Sequence, residues 1–395
     1  MFMMVETGIP ALDKHLHGGV PQGKSLLYYA DPGVECNVFG MQTVHRALSE
    51  GGRGIYVTSS TDPRMIRDLF EEFGWGAGEY GDRFTIVDGF SGLIGANSPE
   101  QYVVPNPDDA GSMTQSIKQM MEDVCEPSVI VFESLSTIMD LCGESATLDA
   151  IEEWNKYAML YDHVIVYNFT AWPYSEDTLA HVKETICNSV VLIGGIAAKV
   201  IFGQYFGVKK TDWDEATKKC TLYKVLKPGG VRVYLPKILV TGPFDAGKTT
   251  FVHALSTKAV SVDRLGTTVA LDYGHVDHSG FTADIFGTPG QERFDPIVKL
   301  LSGEAMGVFL ILDSTNTNDF ARAKRMLEIT ESIGLPVVIV ANKQDMKGAL
   351  VPEEIRRKLG MTDDVPIMPV VAASCEGVFE AFDVLVDRVM EVDST

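Results

Sequence analysis

The segment GPFDAGKT at 242–249 sets two glycines, a lysine and a threonine at the spacing that wraps backbone around phosphate. Gly242 and Gly247 let the chain curl so that its N–H groups face anionic oxygens. Lys248 brings a point charge to β- and γ-phosphates, and Thr249 offers a hydroxyl to magnesium. NKQD at 342–345, about 95 residues further on, follows the apolar run PVVIVA. There Asp345 can accept two hydrogen bonds from N1–H and N2–H₂ of guanine, which adenine does not supply. Asn342 can fix the loop and touch N7, and the Lys343 stem can cover the base. Such a turn alone is ordinary; after a phosphate loop it points to GTP over ATP.

FGTPGQERF at 286–294 has the character of a switch: Gly290 can present its N–H to a γ-phosphate, and Gln291 can orient an attacking water. Upstream, LGTTVALDYG at 265–274 holds two threonines, of which Thr268 suits a magnesium and γ-phosphate ligand, with Thr267 as the alternative. Two threonines opening a strand also serve purely structural ends. In AASCEG at 372–377 a backbone N–H near Ala372 is placed to meet guanine O6. His275 and His278, with Asp277, read as a solvated hairpin turn rather than a metal site, which would need more ligands.

These loops need a parallel sheet to hold them. Short β-branched runs alternate with amphipathic stretches throughout: GIYVTS, FTIVDG, SVIVFES and HVIVYNF in the first half, then KILVTG, FTADIFG, GVFLILD, PVVIVAN and PIMPVVAAS in the second. The expectation is two α/β domains, 1–235 and 236–395, each of the three-layer phosphate-loop NTPase type. The stretch 188–235 reads as an antiparallel end to the first domain, with a hairpin turn at Pro228, Gly229 and Gly230. The boundary falls near Pro236 with no Gly/Ser spacer, which predicts a stiff junction.

Residues 236–395 resemble the Ras superfamily, and most closely the branch that groups MglA, Arf and the signal-recognition-particle-receptor β subunit. TGPFDAGKTTF, TTVALDYG and FGTPGQERF are similar to that branch as whole phrases. The resemblance implies a Ras-like G domain that binds GTP or GDP with Mg²⁺ and hydrolyses GTP. Lys248 and Gln291 then act in catalysis, Thr249 and Thr268 hold the metal, and Asp245, Ala246, Thr250 and Ala373 join the nucleotide contacts. Two departures stand out. The usual DxxG aspartate is absent, the motif reading Gly287-Thr288-Pro289-Gly290, as it often does in this branch. Asp284 need not replace that carboxylate, so looser magnesium binding is expected. Phe244 and Asp245 are also bulkier than usual in the loop and obstruct an arginine brought by a partner. Unaided hydrolysis on the order of 10⁻⁴ to 10⁻³ per second is expected by analogy with Ras-type enzymes.

Residues 1–235 resemble the KaiC/RadA branch of RecA-like ATPases through ETGIPALDKHLHGGVPQGKSLLYYADPG, EGGRGIYVTSSTDPRMIRDLFEEFGW and the final KPGGVRVY. The chemistry of that branch is missing. In the loop 30–37 the lysine position is Cys36 and the metal-binding threonine position is Asn37, and Glu35 would repel phosphate. Ser60 and Thr61 stand where a catalytic glutamate pair would be, and only Glu133, at an expected aspartate, is partly preserved. A pseudo-ATPase follows. Cys36 is either a small buried side chain or a reactive thiol at a helix N-terminus, and Lys24 precedes a strand and is discounted.

The net charge of −21 disfavours nucleic acid and anionic lipid. Six scattered cysteines without a CxxC pair suit a reduced cytoplasm. MFMMVE lacks a signal-peptide start, Phe2 excludes N-myristoylation, and EVDST offers no prenylation cysteine. The expectation is a cytoplasmic GTP switch without a lipid anchor. Its expected partners are protein regulators (activating or exchange factors, a Roadblock-type protein among them) and effectors, with homo-oligomerisation through the KaiC-like part. A GTP-holding module without useful turnover and a RadA-like DNA-handling ATPase are the alternatives.

Overall fold

A computed structural model of the chain describes residues 3–124, 126–197, 202–216, 220–261, 272–279, 281–291, 305–331 and 334–390. The chain divides into two compact units, residues 1–195 with 204–233 and residues 234–395 with 196–203.

The first unit is built on a ten-stranded sheet. Its centre is Ser25–Ala30, paired in parallel with Val164–Thr170 on one side and Ser189–Ala197 on the other. Ser128–Phe132, Arg53–Thr58, Phe84–Asp88 and Tyr102–Val103 continue the parallel set. The central strands are apolar on both faces because helices cover both. Asn37–Ser49 and Pro63–Glu72 pack a core around Phe39, Tyr28 and Tyr223 on one face. Ala110–Asp123 and Glu144–Leu160 pack Met120 and Trp154 on the other. The antiparallel end is shorter than expected. Ser189–Ala197 pairs in parallel with the central strand and borders Phe202–Thr211 on its other edge, while Cys220–Leu226 pairs antiparallel with both Phe202–Thr211 and Gly230–Val233. The helix Glu176–Glu184 explains this: it is the crossover that carries the chain back to start another parallel strand.

The second unit carries seven strands in the order 258–261, 272–278, 281–287, 237–241, 307–313, 337–342, 367–369. The hairpin of Asp272–His278 and Phe281–Gly287 is antiparallel, and the pairings from Phe281–Gly287 through Ile367–Pro369 are parallel. Lys237–Thr241 sits mid-sheet and ends in the phosphate loop, followed at once by the helix Lys248–Leu255. Phe320–Glu331 and Pro352–Leu359 cover one face through Met326, Leu327 and Ile355. Lys248–Leu255 and Val378–Met390 lie on the other. Both units are thus three-layer α/β sandwiches, as the alternating runs predict. PIMPVVAAS gives only a three-residue strand, Ile367–Pro369, before a 3₁₀ turn at Ala372–Ser374. His275 and His278 lie in a strand and not in the turn, which comes at Ser279; they meet Asp284 at 3.0 Å and Asp383 at 3.2 Å. Among the described residues no helix is long and apolar enough to cross a membrane.

Candidate functional site

The phosphate loop is held by its own backbone geometry. Gly242 and Gly247 have φ of 146° and 93°, and Asp245 also takes a positive φ of 59°. A side chain at Gly247 is excluded, since its Cβ would stand 2.3 Å from Asn342 Nδ2. Lys248 folds back over the loop and donates to the Pro243 carbonyl at 2.6 Å. Burial presses the Lys248 ammonium down to about 8; the Arg322 charge deepens the shift, and Asp272 and Asp245 oppose it. Lys248 is half-buried, and it opens the helix Lys248–Leu255, whose N-terminus attracts anions. Thr250, beside Thr249 in the first turn of that helix, is exposed.

Asn342 ties three loops together. Its Nδ2 donates to the Ala246 carbonyl at 3.0 Å, and its Oδ1 accepts the Ala372 N–H at 3.0 Å. NKQD, the phosphate loop and AASCEG, remote in sequence, therefore share one buried side chain. The Ala372 N–H is thus engaged by Asn342, and Ala373 follows it in the turn. Lys343, at φ 64°, donates to the Asp245 carbonyl at 2.8 Å and pairs with Asp313 at 2.7 Å. Burial alone would raise the Asp313 carboxyl, but bonds from Lys343 and Thr315 outweigh it and hold it low. Gln344 braces the turn through Ser314 Oγ and the Leu350 carbonyl. Asp345 is left exposed at the mouth of the loop.

The switch segment starts against the phosphate loop. Thr288 N–H donates to the Val240 carbonyl at 2.9 Å, and its hydroxyl bonds Thr241 Oγ1 at 3.0 Å. At Gly290 a Cβ would lie 2.5 Å from Phe244 N and 2.6 Å from the Gly242 carbonyl oxygen, so only glycine can lie this flat on the loop. Gln291 follows, exposed. Thr267, Thr268 and 292–298 lie outside the described residues.

Sequence reasoning missed Asp272. Its Oδ2 accepts the Thr249 hydroxyl at 2.5 Å. Asp272 is the direct cross-strand partner of Gly287, which occupies the position of the absent DxxG aspartate. Asp284, by contrast, is engaged with Tyr273 and His275. The signal was present in LDYG, but it becomes visible only when the hairpin register is known.

In the first unit the corresponding loop is differently furnished. Cys36 is 4% exposed, and burial pushes its thiol up to about 11. That overturns the reactive-thiol alternative, which needs a lowered value. Glu133 is buried, and its Oε2 accepts from Thr58 Oγ1, Ser59 N and Ser60 N at 2.8–3.0 Å, so the carboxylate closes a turn. Lys24 pairs with Asp212 at 3.0 Å.

Two family models match different parts of the chain. The KaiC family model matches residues 5–152, and the ADP-ribosylation factor family model matches residues 224–389. UPF0273 proteins of Methanopyrus kandleri and Aeropyrum pernix are each 36% identical over 137 residues, 34% of this chain and 54% and 55% of theirs. A UPF0273 protein of Thermotoga maritima is 33% identical over 141 residues, 35% of this chain and 58% of its own. The chain thus spans about half the length of the curated relatives it matches. The structure of a KaiC-like protein from Pyrococcus horikoshii superposes with a TM-score of 0.50 at 21% identity, over 59% of this chain and all of that one, a likeness of fold. The chain joins a KaiC-like domain at residues 5–152 to a GTPase domain of the ADP-ribosylation factor family at residues 224–389.

Proposed function

We propose that this protein is a GTP/GDP switch that hydrolyses GTP slowly unless assisted, and that its KaiC-like domain has lost its own nucleotide chemistry. The observation that carries the reading is the double bond set of Asn342, which gathers phosphate loop, NKQD turn and AASCEG turn around one position. Asp345 reads the guanine N1–H and N2–H₂ edge, and Ala373 N–H meets O6. Lys248 and the loop N–H groups neutralise the phosphates, Gly290 N–H faces the γ-phosphate, and Gln291 orients water.

A hydroxyl and a carboxylate are hard oxygen donors of the kind Mg²⁺ takes. Thr249 and Thr268 would hold the ion, and Asp272 would stand behind it in place of the missing DxxG aspartate. Magnesium supplies charge neutralisation between β- and γ-phosphates when bound. In the GTP state the γ-phosphate would be met by Gly290 and Thr268, and hydrolysis would remove that contact.

The KaiC-like domain, with Cys36 and Asn37 in the lysine and threonine positions and Glu133 bonded to the Ser59 and Ser60 N–H groups, acts as a scaffold, dimeriser or partner platform. Activating or exchange factors and effectors are proteins, a Roadblock-type protein among the candidates. The setting is cytoplasmic. Affinities of the full chain for GTP, GDP and ATP test the reading: guanine nucleotides should bind at least a hundredfold tighter than ATP, and equal affinities would remove it. Single-turnover hydrolysis with and without cell extract separates the switch from a holding module that never turns over.

A further inference from the structure

Arg322 belongs to no nucleotide motif. It lies in the first turn of the helix Phe320–Glu331, and its Nε–H is aimed at the Gly290 carbonyl, 3.4 Å away. That carbonyl belongs to the peptide plane that also carries the Gln291 N–H. Whatever holds it sets the direction in which Gln291 leaves the phosphate loop. Gly290 is pressed against Gly242, Pro243 and Phe244 backbone atoms, so Arg322 and the phosphate loop both bear on one peptide. At 3.4 Å the bond is long, as site hydrogen bonds often are before substrate draws the geometry tight.

Arg322 thus stands beside Gly290, which itself lies against the phosphate loop. Phe244, whose side chain is 69% exposed, has its backbone N–H beside Gly290.

We propose that Arg322 is a positioning residue for GTP hydrolysis, acting from within this chain. It holds the Gly290–Gln291 peptide so that Gln291 meets the attacking water, and it adds positive charge where the γ-phosphate sits. This rests on the GTP-switch reading above. In the step itself water oxygen forms the new bond to γ-phosphorus, the bond to the β-phosphate bridging oxygen breaks, and the water proton passes to the released phosphate. Arg322 forms no bond to phosphorus.

The test uses the full-length chain and its Arg322→Ala and Arg322→Lys variants. Three quantities are measured: single-turnover GTP hydrolysis, affinity for GDP and affinity for a non-hydrolysable GTP analogue. Arg322→Ala should slow hydrolysis roughly tenfold or more, the effect of losing a charged hydrogen-bond donor. It should weaken the analogue several-fold while leaving GDP within about twofold. Arg322→Lys should recover part of the analogue affinity through its charge but not the rate, because an ammonium lacks the planar Nε–H fork. Wild-type rates in both variants would overturn the proposal while leaving the switch reading intact. GDP affinity and melting temperature falling together with the rate would also overturn it, by marking Arg322 as merely structural. A wild type that binds no guanine nucleotide, or binds it without turnover, would remove both readings.

Discussion

The Asp272 carboxylate accepts the Thr249 hydroxyl at 2.5 Å, reaching it from the strand beside the one in which the motif aspartate is lacking. Cross-strand partners project to the same face of a sheet, so a side chain at 272 occupies space that a side chain at 287 would also need. Glycine at 287 and aspartate at 272 are complementary. Asp272→Asn should therefore raise the magnesium concentration needed to retain nucleotide, by roughly tenfold for the loss of a charged hydrogen-bond acceptor. Release of a fluorescent GDP across a magnesium titration measures this. An unchanged magnesium midpoint would remove Asp272 from the site.

The same complementarity predicts a reciprocal exchange. A Cβ at Gly287 would lie 2.9 Å from Asp272 Cβ and 3.3 Å from its Oδ2. Gly287→Asp should destabilise the G domain by about 1–3 kcal/mol, from overpacking and like charge. The double variant Asp272→Ala with Gly287→Asp should recover most of that loss, because contacting residues are not additive. Melting curves of the four proteins give the coupling. Plain additivity would show that the two positions do not share the space.

Lys248 makes nucleotide affinity depend on pH. Its folded value of about 8 lies below the ordinary lysine value, so between 8 and 10.5 the unfolded chain holds more protons than the folded one. The nucleotide-free protein therefore gains stability as pH rises through that window. Binding works the other way. Phosphates restore the ammonium, so binding above pH 8 takes up a proton. Affinity for GDP should be flat below about 8 and fall by up to tenfold per pH unit above it. Calorimetry in buffers of different ionisation enthalpy counts the proton taken up at pH 9. No uptake there would mean that Lys248 is already charged before nucleotide arrives.

On the proposed reading, guanine choice depends on Asp345 and on the brace behind it. Asp345→Asn should cost roughly 1.5–3 kcal/mol of GDP affinity through loss of charged hydrogen bonds. Asn342→Ala should weaken all nucleotides and lower the melting temperature too, since it leaves the Ala246 carbonyl and Ala372 N–H without their shared partner. If Asn342→Ala changes only base preference, its role as the link among three loops is wrong.

The phosphate loop, the NKQD turn and the two sheets were legible because each is a local pattern: glycine spacing, a polar turn after an apolar strand, runs alternating with amphipathic stretches. What escaped was set by pairing between distant segments. Asp272 meets Thr249 only through the register of its hairpin with Phe281–Gly287. Ser189–Ala197 is parallel because of where its crossover helix returns the chain, and its composition resembles that of the antiparallel strands after it. Ala372 carried a plausible N–H, but whether that donor was already engaged by Asn342 is a three-dimensional fact. Arg322 had no motif at all; its place follows from the packing of one helix turn near Gly290.

The KaiC-like domain supports a prediction of inertness. On the proposed reading Cys36 takes the place of a phosphate-binding lysine; it is 4% exposed, and burial pushes its thiol up to about 11. At pH 8 only roughly one such thiol in a thousand is ionised, and thiolate is the reacting species. Glu35 and Asn37 supply no cation in its stead. Three donors from Thr58, Ser59 and Ser60 already converge on Glu133 Oε2. With the G domain saturated by GDP, the full chain should therefore bind no ATP at micromolar concentration. Cys36→Ala should leave GTP affinity and turnover unchanged. Mass spectrometry after brief maleimide treatment at pH 8 should find exposed Cys375 modified long before Cys36. Saturable ATP binding in the GDP-loaded protein, with a stoichiometry near one and lost on substitution of Cys36 or Asn37, would restore a working site to this domain and end the pseudo-ATPase reading.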